Sequence, residues 1–240
     1  MKGQKPDESL VSTADLEAEK LIIQRIKERY PEDLFLAEES GLSSSHREAG
    51  QHIWVIDPLD GTTNFLNGYP VYCISIGRGE VRKDNKIAIQ QAAIYDPSRK
   101  KLYEASLGGG ATCNGKPLRV KADQSLERAF LATGFYYAKG EVLEREIERF
   151  TKVALRCQNI RRDASAALDM ALVAEGVYDA FWETGLQPWD VAAGSLLVTE
   201  AGGVVRNYTV DESGFFDIEQ SSLISGSFAV ANAVAGIVTT

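Results

Sequence analysis

Apolar positions fall into two kinds of run along this 240-residue chain. Those at 53–56, 71–77 and 87–94 are short and nearly continuous, the length of buried strands. Ala18, Leu21, Ile22 and Ile26 instead recur at helical spacing. They follow Ser12-Thr13-Ala14-Asp15, which reads as a helix start, and precede the break at Tyr30-Pro31. The acidic segment Glu38-Glu39-Ser40-Gly41 and the polar stretch 43–51 read as loop. Gly108-Gly109-Gly110 and Asn114-Gly115 supply the positive φ that a hairpin region needs. Glu141 to Leu155 predicts a helix, and Ala166 to Glu175 a second with Ala167, Leu168, Ala171 and Leu172 on one face. Pro188 opens a third, running to about Ala201. Val177 to Trp182 and the segments around 203–206 and 222–231 read as strands. This irregular alternation predicts an α/β protein of layered sheets and helices, without regular βαβ winding.

The net charge of −8 argues against a nucleic-acid groove as the main surface. Cys73, Cys113 and Cys157 are scattered and odd in number, so they read as reduced, buried residues and not as a disulfide or zinc framework. With His46 and His52 the only histidines, a His-rich zinc or copper centre is not expected. The first residues lack the apolar core of a signal peptide, and the apolar run 228–238 is too short to span a bilayer. A cytoplasmic protein with no membrane and no nucleic-acid partner is expected.

Residues 54–65 carry the most chemistry. Trp54, Val55 and Ile56 end a strand, and Asp57 and Asp60 flank Pro58 in what reads as a tight turn. Gly61, Thr62 and Thr63 then have the flexibility and capping chemistry to open a helix with its N–H groups toward solvent. Acids suited to a hard cation thus sit beside amides suited to an anion, a combination that fits metal-assisted phosphate chemistry. Alone, the same acids would equally bond turn amides.

This string resembles the first metal-binding motif of the inositol monophosphatase family. A second match follows in family order: Trp189-Asp190-Val191-Ala192-Ala193-Gly194, then Glu200-Ala201-Gly202-Gly203-Val204. The resemblance implies an αβαβα sandwich of helix and sheet layers. It divides the chain into an N-terminal subdomain, 1–120, for metal and phosphate, and a C-terminal subdomain, 121–240, carrying substrate residues and the last metal ligand. It implies two or three Mg²⁺ ions. One is held by Glu38, Asp57 and the Leu59 carbonyl, the next by Asp57, Asp60 and Asp190, with a weaker site near Glu38. Glu38 is then the base acting on the attacking water, and Thr62 paired with Asp15 orients it. Asp15 is equally a capping-box partner of Ser12.

Gly61, Thr62 and Thr63 would present N–H groups to phosphate. Asp60, Glu183 and Asp190, with the small-residue segment containing Ala164, Ala166 and Ala167, would meet the polyol. Ala166 and Ala167 also suit a closely packed helix start. Of Arg161 and Arg162, one is expected at a subunit contact or in a structural role. The implied activity is hydrolysis of myo-inositol monophosphates by direct attack of water, in a lithium-sensitive homodimer. The alternatives are another small phosphate ester (fructose 1,6-bisphosphate, 3′-phosphoadenosine 5′-phosphate or histidinol phosphate) or a non-catalytic regulatory module. The chain departs from the pattern at Ser9, Ala37 and Ala164, none of them a ligand. The resemblance also implies a helix before Leu10 and a closing helix after the last strand; here the first is missing and the tail is short.

Overall fold

The computed structural model describes residues 2–4, 10–135, 140–210 and 214–239; Ser9 lies outside them. A short antiparallel pair, β1 (Lys2–Gln4) and β2 (Leu10–Ser12), leads into helix α1 (Thr13–Lys27). Then come β3 (Leu34–Ala37), β4 (Gly41–Leu42), β5 (His52–Asp60), α2 (Thr62–Leu66) and β6 (Cys73–Val81). Strands β7 (Ile87–Asp96), β8 (Lys101–Ser106), β9 (Gly110–Cys113) and β10 (Lys116–Pro117) complete an eight-stranded sheet in the order β10-β9-β8-β7-β6-β5-β3-β4. The remaining chain gives β11 (Phe130–Thr133), α3 (Glu141–Ala154), β12 (Asn159–Arg161), α4 (Ala166–Ala174) and β13 (Ala180–Thr184). Helix α5 (Pro188–Glu200), β14 (Val204–Arg206), β15 (Ser222–Gly226) and α6 (Phe228–Val238) end it. The second sheet has the order β12-β11-β13-β15-β14.

Alternation along the strands sets the layers. In β5, Ile53 and Val55 face the central core, while Ile56 packs with Phe35, Ala37 and the α1 residues Ile22, Ile23 and Ile26. In β13, Phe181 faces α4 and α5, and Ala180 and Trp182 face α6. Helices α4 and α5 therefore lie between the sheets, with α1 outside one and α3 and α6 outside the other. The result is the αβαβα sandwich. Burial on all sides explains why α5 is apolar and small through Val191–Val198. The same placement corrects the one-faced reading of α4, which is buried almost all round. Gly194 permits the close approach of these two helices, because a Cβ there would lie 2.7 Å from Met170.

Other differences have local causes. Leu21 is exposed, and Ile23 takes its place in the packed stripe of α1. Asp57 to Asp60 is not a free turn: β5 runs through it with a register shift against β6, and the irregular residues redirect both acids. The strand expected over 177–182 starts only at Ala180, after a turn in which Gly176 has φ +75°. The apolar segment read as strand to residue 231 becomes helix at Phe228, so a closing helix does follow the last strand. Cys73 and Cys113 are buried, Cys157 is half-buried, and none is in a disulfide.

Candidate metal and phosphate centre

The four expected acids come from three separate segments and meet at one cleft. Glu38 follows β3, and its N–H donates to the Ile56 carbonyl at 3.1 Å, which fixes it beside the end of β5. Asp57 and Asp60 stand at the irregular end of β5, and Asp190 stands in the first turn of α5. All four line the cleft, together with Leu59, Gly61, Thr62, Thr63, Ala164, Ala166 and Glu183. Two expected residues are not on its wall: Asp15 is fully buried behind Thr62, and Ala167 is fully buried in α4.

The electrostatics are unfavourable without a cation. Asp57 and Asp60 are buried, and Asp190 is half-buried at the cleft. Burial first, then the charges of Glu38, Asp60 and Asp190, pushes the Asp57 carboxyl well above the usual range. Asp190 is raised by burial and then by Asp60. Asp60 is raised to about 6 by burial, against the lowering effect of hydrogen bonds from Ser165 and the backbone of Ala167 and Leu168. Among the described residues no lysine or arginine makes an ion pair with Asp57, Asp60 or Asp190. Buried acids of one sign with no basic partner fit a hard cation bound by oxygen. A further cluster lies alongside: one carboxylate oxygen each from Asp15, Glu38 and Glu39 lie within 4.8 Å of one another.

Asp15 makes both of its expected contacts, one with each oxygen. Its Oδ2 accepts from the Ser12 N–H at 2.9 Å and from the Ser12 hydroxyl, closing the capping box of α1. Its Oδ1 is 2.8 Å from Thr62 Oγ1, which also lies 3.1 Å from the Leu59 carbonyl. Gly61 precedes α2 with φ +96°, and a Cβ there would meet the Val71 carbonyl at 2.9 Å. Only glycine fits that turn. It starts α2 at the cleft wall, which Gly61, Thr62 and Thr63 line, and the first N–H groups of a helix have no intrahelical acceptors.

A profile of the "Inositol monophosphatase family" matches residues 1–238. The chain belongs to this family. It is 41% identical over 209 residues to "Nus factor SuhB" of Pseudomonas aeruginosa, covering 86% of this chain and 75% of that protein. It is likewise 41% identical over 215 residues to "Inositol-1-monophosphatase" of Synechocystis, covering 86% and 69%. The crystal structure of "extragenic suppressor protein suhB" from Bartonella henselae superposes with TM-score 0.87 at 35% identity, over 99% of this chain and 88% of that one.

Several residues at this inositol monophosphatase-type cleft escaped the sequence reading. Ser165 Oγ donates to Asp60 Oδ2 at 2.8 Å, and the Ala167 N–H donates to the same oxygen at 2.7 Å. Arg162, expected at a contact or in a structural role, lines the cleft with its guanidinium 5.1 Å from the Phe135 ring. Glu183 is pushed up by burial and then by Asp190 and Asp60, and Arg162 opposes the shift. Gly134 is the neighbour that makes room for Glu183: a Cβ there would sit 2.1 Å from its carboxylate. Asp169 is buried in α4, and neither of its oxygens has a hydrogen-bond partner among the described residues. No local pattern announces Ser165, Gly134 or the place of Arg162 in the cleft, because each depends on residues distant in sequence.

Proposed function

We propose that the chain is a Mg²⁺-dependent phosphomonoesterase that hydrolyses myo-inositol monophosphates to inositol and phosphate. The observation that supports this most is the convergence of Glu38, Asp57, Asp60 and Asp190 beside the N-terminus of α2, with no paired base to neutralise the three aspartates. Glu38, Asp57, Asp60, Asp190 and the Leu59 carbonyl would hold two or three Mg²⁺ ions. Bound there, Mg²⁺ supplies charge neutralisation for the phosphoryl and leaving oxygens and lowers the pKa of water.

The protein's own groups do the rest. The N–H groups of Gly61, Thr62 and Thr63 hold phosphate oxygens. Thr62 donates its hydroxyl proton to Asp15 Oδ1, so its lone pairs accept from the attacking water and aim it at phosphorus. Glu38 takes the water's proton, the new P–O bond forms in line, and the ester P–O bond breaks. The departing inositol oxygen takes a proton from solvent. Glu183, Asp60 and Asp190, with the backbone of Ala164 and Ala166, orient the polyol, while Ala167, off the cleft wall, acts only through its N–H on Asp60 Oδ2. In this reading residues 1–120 bind metal and phosphate, and residues 121–240 supply the substrate contacts and Asp190. A covalent route through Cys73 is disfavoured: burial and the Asp60 and Asp57 charges push its thiol up, away from the reactive thiolate.

A homodimer, a cytoplasmic location and inhibition by micromolar to millimolar Li⁺ accompany this reading as family expectations. Among the described residues no helix is long and apolar enough to cross a membrane. A second reading, a regulatory binding module, is favoured by the name "Nus factor" carried by a 41% identical relative. Retention of all four acids favours the enzyme. The deciding test is phosphate release from inositol 1-phosphate, fructose 1,6-bisphosphate, 3′-phosphoadenosine 5′-phosphate and histidinol phosphate. Preference for inositol 1-phosphate supports the reading, preference for another ester moves the substrate, and release from none of them favours the module.

A further inference from the structure

Asn64 is the third residue of α2 and does not line the cleft. Its Nδ2 donates to the Val71 carbonyl at 2.7 Å and to the Asp163 carbonyl at 2.6 Å, and lies 3.4 Å from the Ala164 carbonyl. One amide proton thus closes the 61–71 segment on itself, and the other ties it to a strap nearly a hundred residues away. The strap needs holding. Ala164 has φ +57°, the left-handed region that L side chains disfavour. Immediately after it, Ser165 Oγ and the Ala167 N–H both donate to Asp60 Oδ2.

We propose that Asn64 is a positioning residue for Asp60, acting by clamping the 163–165 strap in the conformation that presents Ser165 Oγ and the Ala167 N–H to that carboxylate. The inference rests on the reading of Asp60 as a Mg²⁺ ligand. Asp60 has to offer one oxygen to the cleft, and it does so because its other oxygen is held from behind. Asn64 sets that hold without touching metal or substrate. A second grip keeps the strap folded when Asn64 is changed: Tyr178 OH donates to Asp163 Oδ2 at 2.7 Å.

The geometry makes Ala164→Gly a specific rescue. Glycine adopts the left-handed conformation without steric cost, so the strap no longer depends on the clamp. Three readouts separate the possibilities in Asn64→Ala, Asn64→Asp and Asn64→Ala/Ala164→Gly. Mg²⁺ binding is measured by calorimetry without substrate, thermal unfolding without metal, and hydrogen exchange over the peptide containing Ser165 to Leu168. In Asn64→Ala the Mg²⁺ dissociation constant is expected to rise about tenfold, as for other supports of a metal ligand. Exchange at the Ala167 amide accelerates while metal-free unfolding shifts little. The double variant regains affinity and protection. Asn64→Asp, which turns oxygens toward two carbonyls, is at least as impaired as Asn64→Ala. Unchanged protection in Asn64→Ala, or a double variant no better than the single one, overturns the clamp. If the wild-type protein binds no Mg²⁺, the functional reading fails, and exchange at Ala167 still decides the clamp.

Discussion

Gly134→Ala isolates the substrate arm of the site. A Cβ at 134 would lie 2.1, 2.2 and 2.3 Å from the Glu183 carboxylate atoms. Non-bonded heavy atoms rest at about 3.5 Å, so the carboxylate must retreat by more than about 1 Å. The obstructed atoms are the far end of a flexible side chain, so Glu183 moves and the β11 backbone does not. A displacement of about 1 Å in a positioning group costs on the order of 100-fold, or about 2.7 kcal/mol of transition-state stabilisation. The fold should lose no more than about 1–3 kcal/mol, the range for an added methyl group in a packed site. The assay is steady-state phosphate release from inositol 1-phosphate, with thermal unfolding as control. A folded Gly134→Ala protein within about twofold of wild type in kcat/KM, beside an impaired Glu183→Gln, would refute the reasoning.

Asp190→Asn keeps an acceptor for the Gln187 N–H, now 2.7 Å from Asp190 Oδ2, and removes one charge from a crowded cluster. Its metal-free unfolding temperature should not fall, while turnover drops at least about 100-fold in the same phosphate-release assay. Thr62→Ser should keep activity and Thr62→Ala lose about 100-fold in kcat, because only the serine retains the hydroxyl facing Asp15. The carboxyls of Asp57, Asp60 and Asp190 sit above their unfolded values, so their contribution to metal-free stability is fully present below about pH 4 and is lost as pH rises through about 6 for Asp60. Thermal unfolding should accordingly show a larger Mg²⁺-induced rise at pH 7.5 than at pH 5; an equal rise at both would contradict the assignment.

The site was legible where its chemistry is local. Asp57, Leu59, Asp60, Gly61 and Thr62 lie in one string whose residue types already pair cation ligands with anion-binding amides. Asp15 was legible twice over, as cap and as partner of Thr62, and its two oxygens satisfy both. Ser165, Gly134 and Asn64 were not, because a serine, a glycine or an asparagine takes on a role only through residues brought to it by the fold. Element boundaries failed for related reasons. Strands β3 and β11 are four residues long, too short for alternation to register. Helix α4 is buried almost all round because it lies between the two sheets, and with Asp169 buried in it the one-faced stripe of a surface helix does not apply. The start of α6 depends on Ser227 following the end of β15 at Gly226, and the apolar segments on either side of Ser225-Gly226-Ser227 look alike in composition.

The central claim is that four acids from three separate segments form one metal-dependent phosphatase centre. Its most direct test is phosphate release from inositol 1-phosphate by wild type and Asp57→Asn, titrated with Mg²⁺ and with EDTA. Turnover that rises with Mg²⁺, stops in EDTA and is lost in a folded Asp57→Asn protein is the expected result. Turnover indifferent to EDTA, or undiminished in Asp57→Asn, would contradict it.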